Sequence, residues 1–211
     1  MKTVKLWTRN FRLVILASAL GTVGAIAGGF ALAFLVFDET GSTLASALIV
    51  AIQLLPYLLL PVLVAPFMDR LPRKSFLVAG DAANAVLLAA MGMWLLFFDF
   101  SYVGYLAVSL LLACLGAADE LAFTSIYPEL IPEGAEQKGY AVSSMLYPLL
   151  KVIMTPLAAV LLDTLGVAWI LIAQSGLSLA AAVTESFIRL DETERKQRAP
   201  YSLRAWVDDI W

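Results

Sequence analysis

The sequence predicts an all-α integral membrane protein of six transmembrane helices, and three observations lead there. Hydrophobic residues make up 61% of the 211 and charged ones 15%, with a mean hydropathy of +0.86, whereas soluble domains are apolar to only about half. The apolar residues fall into six continuous runs, each of about 20 residues or more, enough to carry a helix across a hydrocarbon core of about 30 Å. Thirteen of the fourteen Lys and Arg lie before or at the start of the first run, after the last, or in the second and fourth connections. Basic residues collect on the cytoplasmic side, so both termini are expected there, as an even number of spans requires.

The runs span residues 11–37, 44–68, 76–98, 102–127, 139–162 and 167–188. None shows the alternation that a barrel strand needs, and an open backbone in lipid would leave its polar groups unsatisfied, so each reads as a helix. The first is too long for the apolar core of a signal peptide and no small-residue cleavage site follows it. Residues 1–188 then form the transmembrane bundle. The segment 189–211 differs in kind: it is charged up to Arg198, and then Tyr201, Leu203, Trp206, Val207, Ile210 and Trp211 recur at near-helical spacing. That pattern suits a short helix lying in the membrane interface.

Composition also excludes. The net charge of −3 opposes nucleic acid as a partner, since phosphate recognition needs a concentrated basic face. With no His and a single Cys, Cys/His metal sites are ruled out by count, and no base such as His stands ready to activate a nucleophile. No phosphate-binding Gly-Lys-Ser/Thr loop is present. No catalytic residue, metal or cofactor is expected, and the chain is not read as an enzyme.

The second connection, Ala-Pro-Phe-Met-Asp-Arg-Leu-Pro-Arg-Lys over residues 65–74, is a short charged hinge between two spans. Its order of charges, Asp69, Arg70, Arg73 and Lys74, resembles the signature loop between helices 2 and 3 of the major facilitator superfamily, although Ala65 and Pro72 stand where that pattern has glycines. Charges that only anchor topology account for the cations but not for Asp69 in front of them. Asn10-Phe11-Arg12, Thr40-Gly41-Ser42, Asp81, Pro128-Glu129-Leu130-Ile131-Pro132 and Thr155-Pro156 are similar to the macrolide-efflux and enterobactin-exporter branch, whose members are twelve-helix exporters made of two six-helix halves. The chain resembles the first half, and residues 189–211 the start of the linker between halves.

The resemblance implies two inverted three-helix repeats, with helices 1 and 4 lining a central cavity, 2 and 5 flanking it, and 3 and 6 toward lipid. It assigns a gating role to Asp69, Arg70, Arg73 and Lys74, with Asp81 either part of that gate or a solvated carboxylate. Residue spacing agrees with the cavity assignment: Ser18, Gly21, Thr22, Ala25, Gly28 and Gly29 share one side of helix 1, Ala113, Gly116, Glu120 and Thr124 one side of helix 4, and Ser144, Tyr147, Lys151 and Thr155 one side of helix 5.

Intramembrane charge is expensive and marks function by default, which singles out Asp119, Glu120 and Lys151. Asp119 and Glu120 are about 100° apart on a helix, so only one points fully inward, and the stripe favours Glu120. Lys151 lies at a similar depth and can lean toward it, either as a proton-coupling pair or as a structural tie. Gln53 and Tyr57, with Asn84, Gln174 and Ser178, are uncharged candidates for cavity lining or interhelical hydrogen bonds, and Glu185, at the end of helix 6, reads as interfacial.

The expected function is secondary active transport: proton-coupled efflux of an amphipathic, drug- or siderophore-like small molecule by alternating access, after pairing with a second six-helix half, with a homodimer as the simplest pairing. The expected partners are the lipid bilayer, that second half, the small-molecule substrate and protons, and the expected location is the inner or plasma membrane of the cell. The alternative is a membrane module of the same fold that binds a partner or regulates it without transporting anything.

Overall fold

A computed structural model describes residues 5–68 and 73–189, with the backbone alone for 62–68. Asp69 and Arg70 of the hinge and the tail from residue 190 onward lie outside the described residues. Six helices follow in order: α1 (Arg9–Thr40), α2 (Thr43–Met68), α3 (Arg73–Phe97), α4 (Tyr102–Leu130), α5 (Glu136–Leu165) and α6 (Val167–Ser186). All six are long and apolar enough to cross a membrane, and no strand occurs among the described residues.

Several helices run past their apolar stretches, because a helix ends where its backbone is capped rather than where polarity begins. Thr8 caps α1 by accepting the N–H of Phe11 at 3.2 Å. The helix then continues through Asp38, Glu39 and Thr40 until Gly41 turns left-handed at φ 62°, its N–H donating to the Phe37 carbonyl. Ser42 and Ser101 open α2 and α4 by accepting the N–H groups of Ala45 and Gly104. Pro128 does not end α4, which continues to Leu130; a proline so near the C-terminus removes only one bond from a turn about to finish. At α5 the helix starts at Glu136, ahead of the apolar run, and the Glu136 carboxylate accepts the Gly134 N–H at 2.7 Å, an acid placed where the helix dipole favours it.

The packing carries an internal symmetry. Helix α1 packs on α5 and α6, α4 packs on α2 and α3, and α3 packs on α6. Exchanging 1 with 4, 2 with 5 and 3 with 6 maps these main contacts onto one another, though α1 also touches α2 and α5 touches α6 without a matching pair; a shift of three spans reverses helix direction, as two inverted three-helix repeats require. Helices α3 and α6 approach closely enough that a Cβ on Gly92 would stand 2.8 Å from an Ile172 side-chain carbon and 2.9 Å from the Ala168 carbonyl oxygen.

Three apolar clusters hold the bundle. One, around Phe11, Leu77, Ile126, Tyr127 and Ile188, closes the end that carries the hinge. A second, around Val36, Ile49, Leu88, Tyr105 and Leu171, closes the opposite end. The third, around Ala31, Met154, Ala158 and Ile170, joins α1 to α5 and α6. Two buried tyrosine hydroxyls are tied down: Tyr127 donates to the Gly139 carbonyl at 2.7 Å and Tyr105 to the Met91 carbonyl at 3.1 Å. Helices α2 and α5 remain the most exposed of the six.

At the hinge end, Asn10 donates to the Arg189 carbonyl at 2.8 Å and accepts its N–H at 3.3 Å, which fastens the start of α1 to the chain leaving α6. Arg73 and Lys74, the described part of the hinge, tie α3 to its neighbours. The Arg73 guanidinium donates to the Ser125 carbonyl at 2.8 Å and lies 3.6 Å from Glu129, and the Lys74 ammonium donates to the Ser186 carbonyl at 2.7 Å. Both cations thus sit against carbonyls near helix C-termini, where the dipole attracts positive charge.

Candidate binding cleft

Between the two end clusters, α1 and α4 stand apart and leave an open cleft of about 610 Å³. The α1 wall is made of small residues: Ser18, Gly21, Thr22, Ala25, Gly28 and Gly29 all line it. This stripe does more than let helices approach. Gly24 and Gly28 receive the side chain of Gln174 from α6, while Gly21 and Gly29 have nothing near the place of a Cβ and open onto the cleft.

The α4 wall is acidic. Ala113 and Gly116 line it, followed by Asp119 and Glu120 together. Asp119 and Glu120 share the lining because the cleft is broad enough to meet both positions, 100° apart. Glu120 is the exposed one at the rim, and Asp119 is half-buried behind it, with Oδ1 lacking a hydrogen-bond partner and facing the glycine surface of α3 at Gly80. Gln53 and Tyr57 of α2 close the wall beside them, the Tyr57 hydroxyl lying over Gly116 so that a Cβ there would stand 2.6 Å from it.

The floor comes from α3 and α6. Asp81, Asn84 and Leu88 face in from α3, and Leu171, Gln174 and Glu185 from α6. Glu185 departs from its expected place: although one residue from the end of α6, it is only 5% exposed, and its Oε2 has no hydrogen-bond partner. Packing of α6 against α3 and α1 covers it, so that Asp81, Asp119 and Glu185 lie within electrostatic reach of one another. Arg73 and Lys74 do not line the cleft.

On α5, Tyr147 lines the cleft but Lys151 does not. The Lys151 ammonium stands 5.5 Å from the centroid of the Tyr147 ring one turn back on its own helix, and no ion pair joins it to Glu120 among the described residues. The expected lean of Lys151 across to α4 is therefore absent, because α5 packs on α1 and the cleft separates it from α4. Ser143 and Leu146, not Ser144, face the opening. The hydroxyls of Ser144, Thr155 and Thr124 are spent on the Ala141, Lys151 and Leu121 carbonyls of their own helices. Ser178 is buried outside the lining. Ser109, a buried lining residue with an unpartnered hydroxyl, had no stripe to announce it.

A polar cleft opening from the middle of six apolar helices suits a protein that passes a solute through a bilayer. No curated protein and no solved structure matches the chain. The family model of the Major Facilitator Superfamily matches residues 13–208, nearly the whole chain. With its six spans in two inverted repeats, this multi-pass membrane protein belongs to the Major Facilitator Superfamily, a family of transporters.

Proposed function

We propose that the chain is a six-helix half of a secondary transporter that exports an amphipathic small molecule in exchange for protons, working by alternating access once a second six-helix body closes the cleft. The observation that carries this reading is the cleft itself, with Asp119 and Glu120 in its wall at about 15 Å from the end of α4 at ~1.5 Å per residue. Polar walls of this kind do not face lipid, and an open cleft between α1 and α4 is half of a path. A second copy related by a two-fold axis along the membrane normal is the simplest cover. The likeness of residues 128–132 and 155–156 to exporters favours efflux, and the basic residues at the hinge end favour a cytoplasmic hinge in the inner or plasma membrane.

In this reading Glu120, exposed at the rim, carries the coupling proton, and the hinge from Asp69 to Lys74 with Asp81 gates the cytoplasmic end. The test is movement of amphipathic dyes of positive, neutral and negative charge in proteoliposomes, with and without a pH gradient. Gradient-driven accumulation of at least one dye is expected, and Glu120→Gln should abolish it while leaving dye exchange at equal pH intact. If no dye moves faster than in protein-free vesicles, or if Glu120→Gln keeps full gradient dependence, the reading is wrong. Crosslinking in native membranes checks the pairing: a fully active protein that stays monomeric would refute it.

A further inference from the structure

We infer that the cleft binds an organic cation, a solute with an apolar body and a permanent or protonated ammonium-type charge, held by the carboxylates of Asp119, Glu185 and Asp81. The inference rests on the reading of the cleft as the substrate path.

Charge is the first ground. The three carboxylates come from α4, α6 and α3, they lie within electrostatic reach of one another, and Glu120 adds a fourth at the rim. Among the described residues, no Lys or Arg lines the cleft. A cation entering such a concavity favours the ionised form of these acids, and each ionised carboxylate attracts it in turn. An anionic solute would find no opposite charge there and would meet the acids of α3, α4 and α6.

The second ground is an unpartnered acceptor. Glu185 is 5% exposed, lines the cleft, and leaves Oε2 without a hydrogen bond; Asp119 Oδ1 is in the same state. A buried carboxylate oxygen without a partner is costly, and a group that donates hydrogen bonds or carries positive charge is the chemistry that satisfies it. Among the described residues no three acidic or Cys side chains converge tightly enough to hold a metal ion, so a small dense cation is not what the spacing serves. A cleft of about 610 Å³ falls within the range of small-molecule sites. Leu88, Leu112 and Leu171 in the lining offer contact for a hydrocarbon body, and Tyr57 and Phe123 line the cleft with them.

Two probes of one shape and opposite charge test this: tetraphenylphosphonium and tetraphenylborate. Equilibrium binding of each to the full chain in lipid nanodiscs, with empty nanodiscs subtracted, should show saturable binding of the cation at least about tenfold tighter than any of the anion, a difference of about 1.4 kcal/mol. Asp119→Asn and Glu185→Gln should each weaken the cation about tenfold or more, while Asp119→Glu, which keeps the charge, retains it. Equal binding of the two probes, tighter binding of the anion, or unchanged cation binding in a folded Asp119→Asn protein would overturn the inference. The comparison of probes on the unmodified chain decides even where a variant fails to fold. Failure here is separable from failure of the transport reading: gradient-driven movement of neutral or anionic dyes without phosphonium binding removes only the cation, and phosphonium binding without any transport removes only the transport.

Discussion

The walls of the cleft, α1 and α4, occupy equivalent places in the two repeats, yet one is uncharged and the other acidic. Helix α1 packs on α5 and α6 as α4 packs on α3 and α2, with α1 touching α2 as well, and each presents small residues to the opening. On α1 the small residues continue from Ser18 to Gly29, and Gln174 of α6 comes into them; on α4 they give way to Asp119 and Glu120. Similar packing duties with unequal chemistry mean that the fold does not dictate where the charge lies. The acids can be read as functional because the uncharged wall shows that the architecture stands without them.

The largest expected effect breaks that contrast directly. Removing one acid from the α4 wall with Asp119→Asn should lower transport of a cationic dye about tenfold or more, the scale on which a lost charge interaction of about 1.4 kcal/mol registers. The matching change on the other wall, Thr22→Val, keeps volume and removes a hydroxyl, and should alter transport by less than about threefold, within the scale of a single neutral hydrogen bond. Initial rates of dye uptake on both variants give the answer. Equal losses would show that the walls act alike and that the carboxylates hold no special place.

A middle-sized effect concerns stability and separates the walls from the packed back of the bundle. Gly92 lies where α3 and α6 nearly touch, with the Ala168 carbonyl oxygen and Ile172 backbone nitrogen within 3.3 Å of where a Cβ would be. Gly92→Ala should therefore force two backbones apart and cost about 1–3 kcal/mol. Gly21 on the α1 wall has nothing within 4 Å, so Gly21→Ala should leave stability unchanged or improve it by up to about 1 kcal/mol through helix propensity. Thermal unfolding in detergent compares them, and a drop for Gly21→Ala as large as for Gly92→Ala would mean that the α1 wall is packing surface and not lining.

Much of this was legible in the residues. Run length alone marked all six helices, since nothing but a helix keeps 20 apolar residues satisfied in lipid, and the stripe on α1 survives residue for residue as lining. The helix ends were less legible because they depend on caps such as Gly41 and Ser101, which lie outside the apolar signal. Periodicity failed on Thr124, Ser144 and Thr155 for a physical reason: a hydroxyl in a helix can satisfy itself on the carbonyl three or four residues back, so its polarity need not point at a cleft. Glu185 was misplaced because its position at the end of α6 suggested water, whereas its burial is decided by α3 and α1, elements distant in sequence.

The smallest expected effect concerns Glu120 and Lys151, the one acid and one base that spacing alone brings together. If they formed a structural tie, removing the carboxylate would strand a buried ammonium and destabilise the bundle by several kcal/mol. In the structure they do not pair: Lys151 is exposed outside the cleft lining and rests on the Tyr147 ring, and Glu120 is exposed on α4. An exposed cation on an aromatic face is worth only about 0.5–1 kcal/mol. Glu120→Gln and Lys151→Met should therefore each shift the unfolding midpoint little, and the double variant should equal the sum of the singles within about 0.5 kcal/mol, as independent sites do. Measuring all three in the same detergent closes a double-mutant cycle. A coupling above about 1 kcal/mol would restore the tie between α4 and α5 and weaken the contrast between an acidic wall and an uncharged one. Additive, nearly silent changes in stability, together with lost gradient dependence in Glu120→Gln, would leave the α4 carboxylates free for solute and proton.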